Sequence, residues 1–208
     1  MPRQEAPIDY LRRYIPAEAA AMVINYLNQY RVQLTITRER KSILGDYRFA
    51  GASTPHRISV NSNLNKYSFL ITLIHELAHL VAFEQFGHRI NAHGREWKSV
   101  YARLLKDFLM PSIFPEDILS ALRQSLHDLP ASSCSDDKLM RILNRYDLRK
   151  PGMLLVEQLE QGTYFEAGSG QVFQRGKKLR KRYQCTEVHS GKLYLFSPVY
   201  EVKLVTPQ

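Results

Sequence analysis

The stretch IHELAH, residues 74–79, places two histidines and a glutamate in an otherwise apolar run. On a helix His75 and His79 lie one turn apart on the same face, so their imidazole rings can bind one metal ion. Glu76 is rotated by roughly 100° from His75, which puts its carboxylate beside such an ion and not on it. From there it can take a proton from a water that attacks a carbonyl group and pass it to a leaving amine. The motif therefore predicts a metal-dependent hydrolytic site.

A purely structural interpretation must account for the same three side chains. A single histidine on an apolar helix face is usually a core residue whose ring nitrogens bond to backbone carbonyls. Here two histidines and a glutamate share one apolar helix, and burying them without partners would lower the stability of the fold by several kcal/mol. One metal ion satisfies all three groups together, so we favour the metal site.

A catalytic zinc ion needs a third protein ligand and one open coordination position. Three candidates follow along the chain, namely His88, His93 and Glu96. The metzincin spacing is excluded, because Ala82 stands where that pattern has its glycine and Gln85 where it has its histidine. Spacing alone leaves the three candidates open.

The elements around the motif can be predicted from periodicity. A buried helix is expected over residues 66–86, because its apolar run ends at Gly87, a residue favoured just past helix ends. Three β-branched segments before it predict a small antiparallel sheet, at residues 32–37, 47–50 and 56–61. Other helices are predicted at residues 16–30, 95–109, 115–126 and 136–146, the last capped by Ser135.

The sequence changes character near residue 150. Residues 153–205 consist of short strand-like segments separated by Gly-rich turns, which predicts a small sheet. We therefore expect an α+β domain over residues 1–130, a helical linker over residues 131–150, and a small all-β module over residues 151–208.

Composition restricts the class of protein. The 208 residues are 44% hydrophobic and 24% charged, which is typical of a globular protein. Polar residues interrupt the longest apolar run, the N-terminus has no secretory leader, and neither feature favours a membrane. The two cysteines, Cys134 and Cys185, are too few for a disulfide framework or a four-cysteine zinc site. We expect a cytoplasmic monomer with no membrane partner.

Most of the net charge of +9 lies near the C-terminus, where residues 168–208 carry eight Lys/Arg and two Asp/Glu. Phe173 and Tyr183 flank its densest part, and basic side chains interleaved with aromatic ones suit phosphate contacts and base stacking. Nothing in the pattern indicates recognition of a base sequence. The alternative is a solvated basic hairpin. The basic cluster consists of Arg175, Lys177, Lys178, Arg180, Lys181 and Arg182.

The stretch TLIHELAHLVAFEQFGHRINAHGREWKSVYARL, residues 72–104, resembles the core of the SprT-like metallopeptidases, the group that includes spartan. In that family a His-Gly-x-x-aromatic step opens the next helix, and HGREW, residues 93–97, matches it. Upstream, RERKSILGDYRF and HRISVNSNL also resemble family segments, so the resemblance covers about residues 15–110. It implies a zincin-like fold with one zinc ion, and it assigns His93 as the third ligand over His88 and Glu96.

The resemblance also implies a function, namely zinc-dependent cleavage of proteins associated with or crosslinked to DNA, with Glu76 as the general base. The chain departs from many family members because it lacks the paired cysteines of their zinc ribbon. Cys185 and His189 cannot complete a tetrahedral site, so a metal-free module is expected there. Two alternatives remain: a non-catalytic, nucleic-acid-associated or transcription-associated factor with a structural metal, and a peptidase unrelated to nucleic acid.

Overall fold

The computed structural model describes residues 8–40, 43–51, 54–126, 136–147, 152–168 and 170–206. The chain divides into two compact units, Met1–Asp147 and Leu148–Gln208. The first unit contains α1 (Ile8–Leu11), α2 (Ala20–Gln29), β1 (Gln33–Thr37), β2 (Gly45–Arg48), β3 (Arg57–Asn61), α3 (Lys66–Phe86), α4 (Arg95–Phe108), α5 (Glu116–Ser125) and α6 (Asp137–Leu143). The second contains β4 (Met153–Leu155), β5 (Tyr164–Ala167), β6 (Gln171–Leu179), β7 (Arg182–Glu187), β8 (Leu193–Phe196) and β9 (Glu201–Leu204). The α+β class is therefore as expected.

The sheet of the first unit is mixed, with the strand order β1–β3–β2. β2 pairs with β3 in antiparallel fashion, whereas β1 runs parallel to β3. The prediction of an antiparallel sheet is therefore wrong for the β1–β3 pair. β2 follows β1 along the chain and runs antiparallel to β3, but it pairs with the edge of β3 that faces away from β1. β1 pairs with the other edge of β3 and runs in the same direction as β3.

α3 is the central helix of the first unit, and its bounds are those predicted. It begins after Asn65, whose side-chain oxygen accepts hydrogen bonds from the backbone N–H groups of Tyr67 and Ser68. It ends at Gly87, whose φ of 71° is readily adopted only without a Cβ atom. By length and composition α3 could cross a bilayer, but most of it is buried within the protein, as in the core helix of a globular fold.

α6 belongs to the core of the first unit, which differs from the helical linker expected at residues 131–150. Its Leu139 and Leu143 are buried in the same cluster as the inner face of α4. The Asn65 side chain also donates to the backbone carbonyl of Leu143, which ties the start of α3 to the end of α6. Asp136 caps α6, whereas Ser135 lies outside the described residues.

The second unit is a six-stranded antiparallel sheet with the order β4–β9–β5–β6–β7–β8. Its inward-facing side chains form a separate small core, which includes Phe165, Phe173 and Tyr183. Cys185 is a free thiol buried in this core, where it packs as a small apolar residue. Cys134 lies outside the described residues.

Candidate metal centre

Three imidazole rings converge beside α3. His75 and His79 come from consecutive turns of that helix, and His93 comes from the turn that precedes α4. Their Nε2 atoms lie 3.2 Å apart for His75–His79 and 3.0 Å apart for the two pairs that include His93. Tetrahedral zinc with bonds of about 2.0–2.1 Å separates its nitrogen ligands by about 3.3–3.4 Å. The three nitrogens are therefore spaced as the ligands of one small ion.

Hydrogen bonding among the rings does not account for this arrangement. In a triangle of nitrogens an N–H group can point at only one partner, so the short distances cannot all be well-aligned bonds. Burial is the main effect that lowers the pKa of His75 to about 3 and that of His79 to about 4, and neighbouring imidazoles add to it. Burial also lowers the pKa of His93. The rings are thus held neutral, which is the form that binds metals.

The backbone is strained where it delivers the third ring. His93 has a φ of 60°, a left-handed conformation that is uncommon for a residue with a side chain. The next residue, Gly94, donates its N–H to the carbonyl oxygen of Asn91 at 2.9 Å, and a Cβ atom on Gly94 would lie only 2.9 Å from that oxygen. The glycine therefore allows the tight turn, and strain of this kind is concentrated at functional sites.

The ring of Trp97 lies against all three imidazoles. Its centroid is 4.7 Å from those of His75 and His93 and 5.2 Å from that of His79. Trp97 is fully buried on α4, and Tyr101 stacks on it at 4.9 Å. This packing sets the position of α4, and hence of His93, relative to α3.

Glu76 is buried between α3 and β2. The backbone N–H of Tyr47 donates to its carboxylate, and only 7% of the residue is exposed. Burial raises the pKa of Glu76 to about 8; the charge of Asp46 adds to this shift, and the guanidinium of Arg40 opposes it. A positive ion beside the carboxylate would favour the ionised form for the same electrostatic reason.

β2 can approach Glu76 this closely because it begins with a glycine. A Cβ atom on Gly45 would lie 2.6 Å from Oε1 of Glu76 and 2.7 Å from Cγ2 of Thr72. Gly45 is absent from the site residues predicted from the sequence, and the predicted strand starts two residues later. The available signal was a glycine near the predicted start of a strand, which often marks a close approach of the backbone.

A polar network fixes the segment that leads into Gly45. The fully buried side chain of Asn61 accepts hydrogen bonds from Arg40 Nε at 2.7 Å and Thr37 Oγ1 at 3.2 Å, and donates to the carbonyl of Ile43 at 2.9 Å. Arg40 also donates to Ser59 Oγ at 2.9 Å. Arg40 and Ile43, which precede β2, are therefore held to β3, which fixes the strand edge that faces Glu76.

The other two candidate ligands lie elsewhere. The ring of His88 packs edge-on against Phe49 and Phe83, and Glu96 is not part of the ligand cluster. Within the described part of the chain, no fourth His, Cys, Asp or Glu joins the three nitrogens. Three protein ligands and an open position are typical of catalytic zinc, whereas structural zinc has four protein ligands.

The basic cluster lies on the β6–β7 hairpin of the second unit. Five of its side chains are exposed, whereas the Arg175 guanidinium lies 4.3 Å from the ring centroid of Tyr183 with its Nε buried. Tyr183 and Phe173 are themselves buried in the core of the unit. The expectation that these two rings stack on bases is therefore wrong, because alternation along the strands turns both inward. The exposed side chains are those of Lys177, Lys178, Arg180, Lys181 and Arg182.

Replacing Gly45 with alanine tests the close approach of β2 to Glu76. We expect Gly45→Ala to lower the free energy of unfolding of the first unit by about 1–3 kcal/mol, because the new methyl group overpacks the carboxylate. Zinc affinity should stay unchanged, since Gly45 contacts none of the three imidazoles. Urea unfolding followed by the fluorescence of Trp97, the only tryptophan, measures the first quantity. Gly51→Ala is the control, because its nearest neighbour is the Thr54 hydroxyl at 3.1 Å; equal effects would contradict the prediction.

The identity of the third ligand can be tested with two histidine substitutions. His93→Ala should weaken zinc binding by at least about 100-fold, because it removes one of three converging ligands. His88→Ala should leave the affinity unchanged. Competition against a chromogenic zinc chelator measures both dissociation constants, and a larger loss in His88→Ala would contradict the assignment.

Comparison with known proteins agrees with this geometry. The chain matches the model of the SprT-like family over residues 17–113, a range that contains all three histidines and Glu76. It is 30% identical to Protein SprT of Pseudomonas putida strain W619 over 152 residues, which are 69% of this chain and 75% of the relative. Protein SprT of strain KT2440 is 31% identical over the same shares of both chains. No solved structure matches the chain. These similarities show that the chain belongs to the SprT-like family.

Proposed function

We propose that the protein is a zinc-dependent endopeptidase whose substrates are proteins bound or crosslinked to DNA. The observation that carries the proposal is the three-nitrogen cluster with no fourth ligand among the described residues, next to the buried carboxylate of Glu76. A structural site has no need of an open position or of a carboxylate beside it.

The three histidines would hold the zinc ion through Nε2. When bound, zinc polarises a carbonyl group and lowers the pKa of water, which makes hydrolysis feasible at neutral pH. Glu76 accepts a proton at its carboxylate from the water that attacks the peptide carbonyl, and it then passes this proton to the leaving amine. Gly45 and the N–H of Tyr47 hold that carboxylate in one orientation.

Association with DNA is supported by the exposed side chains of the β6–β7 hairpin. Five exposed Lys and Arg residues suit contacts to phosphate, which depend on salt and not on base sequence. The hairpin would keep the protease near proteins held on DNA. The buried free thiol of Cys185 supports a reducing, cytoplasmic location.

The second candidate is a non-catalytic factor associated with nucleic acid, in which the metal only stabilises the fold. The basic β6–β7 hairpin favours this candidate as well. The two candidates differ in the role of Glu76, because only the protease needs its carboxylate for cleavage. A peptidase unrelated to nucleic acid would instead leave the hairpin without a role in binding.

The role of Glu76 can be tested by an isosteric change. Glu76→Gln should retain bound zinc but cleave a DNA-bound protein at least about 100-fold more slowly, because the amide cannot accept the proton. Zinc content by mass spectrometry and cleavage of a histone on single-stranded DNA measure the two quantities. If zinc-loaded wild type cleaves nothing with or without DNA, the non-catalytic factor is favoured.

The role of the hairpin can be tested by neutralising its five exposed charges to glutamine. Affinity for single-stranded DNA should fall, and the slope of log K against log salt should decrease by about 0.7 per lost phosphate contact. Fluorescence anisotropy at several salt concentrations measures both. The control removes the same charge from the first unit, at Arg12, Arg13, Arg103, Lys106 and Arg123. Equal losses of DNA affinity in the two variants would show that net charge, and not the hairpin, determines binding.

A further inference from the structure

Three aromatic rings pack on one another at the C-terminal end of α3, and we call Phe49, Phe83 and His88 the aromatic wall. The ring of Phe49 stacks on that of Phe83 with centroids 5.4 Å apart and 19° between planes. His88 meets both edge-on, at 5.0 and 4.7 Å. Phe49 is 53% exposed and His88 is also exposed, so the wall presents apolar surface to solvent.

The wall lies next to the proposed catalytic groups along α3. Phe83 follows His79 by one helical turn. With a rotation of roughly 100° per residue, its side chain leaves the helix between the directions of His79 and Glu76. The wall therefore stands on the face of α3 that carries a zinc ligand and the general base.

β2 leads from Glu76 to the wall. Alternate residues of a strand share one face, and the face of β2 that meets α3 contains positions 45 and 47. Phe49 follows the last residue of the strand, Arg48. Position 45 lies against Glu76, the ring of Tyr47 is 6.5 Å from that of Phe83, and Phe49 stacks on Phe83. These residues thus form a continuous line of contacts with α3, from the carboxylate of Glu76 to the wall.

The wall is fixed by a buried histidine. Nδ1 of His56 accepts hydrogen bonds from the hydroxyl of Tyr47 at 2.9 Å and from the N–H of Ala50, the residue after Phe49, at 3.2 Å. These bonds assign the ring proton to Nε2, which lies 3.2 Å from Oε1 of Glu84 on α3. The backbone beside Phe49 is therefore tied to α3, although the Phe49 side chain is exposed.

We propose that the aromatic wall is a specificity subsite, which receives a bulky apolar side chain next to the scissile bond of a peptide substrate. The inference rests on the proposed peptidase function. An aromatic or branched aliphatic side chain would cover the exposed face of Phe49 and remove apolar surface from water. A short side chain would leave the ring of Phe49 exposed to water and bind more weakly. A carboxylate would lose its hydration against the phenyl rings, which also disfavours binding.

The test uses fluorescein-labelled decapeptides with one varied position, occupied by Phe, Leu, Ala or Asp. Binding is measured by anisotropy on the zinc-loaded, full-length Glu76→Gln variant, which is not expected to turn the peptides over. We expect the Phe and Leu peptides to bind about tenfold more tightly than the Ala peptide, the discrimination typical of an apolar pocket. Adding Phe49→Ala should reduce this preference to near unity, and Phe49→Leu should keep part of it.

The matched control is Met110→Ala, which removes an apolar side chain of similar exposure, 44%, after the end of α4. It should leave the preference unchanged. Zinc content and thermal unfolding show whether each variant is folded. A preference that persists in a folded Phe49→Ala variant, or equal binding of the Phe and Ala peptides by the parent, would overturn the inference. Loss of oligonucleotide binding with unchanged peptide binding in Phe49→Ala would also overturn it.

Cleavage of the same peptides by the protein with Glu76 intact separates this inference from the proposed function. Selective binding that depends on Phe49, without any cleavage, would leave the subsite standing and refute the peptidase. Cleavage with no dependence on Phe49 would leave the peptidase standing and refute the subsite.

Discussion

The packing of Trp97 against the three imidazole rings is the contact on which the candidate metal centre depends. Two ligands share a helix, so their separation is fixed by helical geometry, whereas His93 comes from the turn before another helix. Trp97 lies four residues after His93, is fully buried, and contacts both the rings on α3 and the ring of His93. Close-packed interiors resist small displacements. A shift of α4 along α3 would disrupt the packing of Trp97 against the three imidazole rings. The spacing of the three nitrogens is thus a consequence of how two core helices pack.

The same helix places a carboxylate on its neighbouring face. α3 carries two of the candidate metal ligands on one side and turns Glu76 and Phe83 toward β2, and Gly45 allows the strand to lie against the carboxylate. Burying polar imidazoles and a carboxylate lowers the stability of the fold, whereas apolar side chains at the same positions would not do so. The left-handed backbone at His93 adds strain. Buried polar groups and backbone strain thus occur together near the middle of α3, which is the pattern expected where function overrides stability.

Features set by local pattern could be predicted from the sequence, and features set by packing could not. The bounds of α3 were readable because its long, mainly apolar run ends at Gly87, and the convergence of His75 and His79 followed from their spacing. His93 needed a family resemblance, because the irregular turn before α4 has no periodicity that fixes a distance to α3. The parallel β1–β3 pair was not predicted, because the residue pattern of a single strand does not determine which strands become its neighbours in the sheet. β2 was placed late because Gly45 and Asp46 are weak strand formers.

Under the proposed function, the two units would divide substrate selectivity between them. An apolar subsite discriminates between side chains by only about 10–200-fold, so a peptidase site beside one aromatic wall would cut many unfolded segments. The restriction of substrates would then come from where the protein is held. Tethering to DNA through the exposed charges of the β6–β7 hairpin would raise the effective concentration of nearby proteins by a factor of about 10²–10⁴ without any new contact in the cleft. Because phosphate contacts are independent of sequence, this restriction would select proteins by their attachment to DNA and not by the sequence of either polymer.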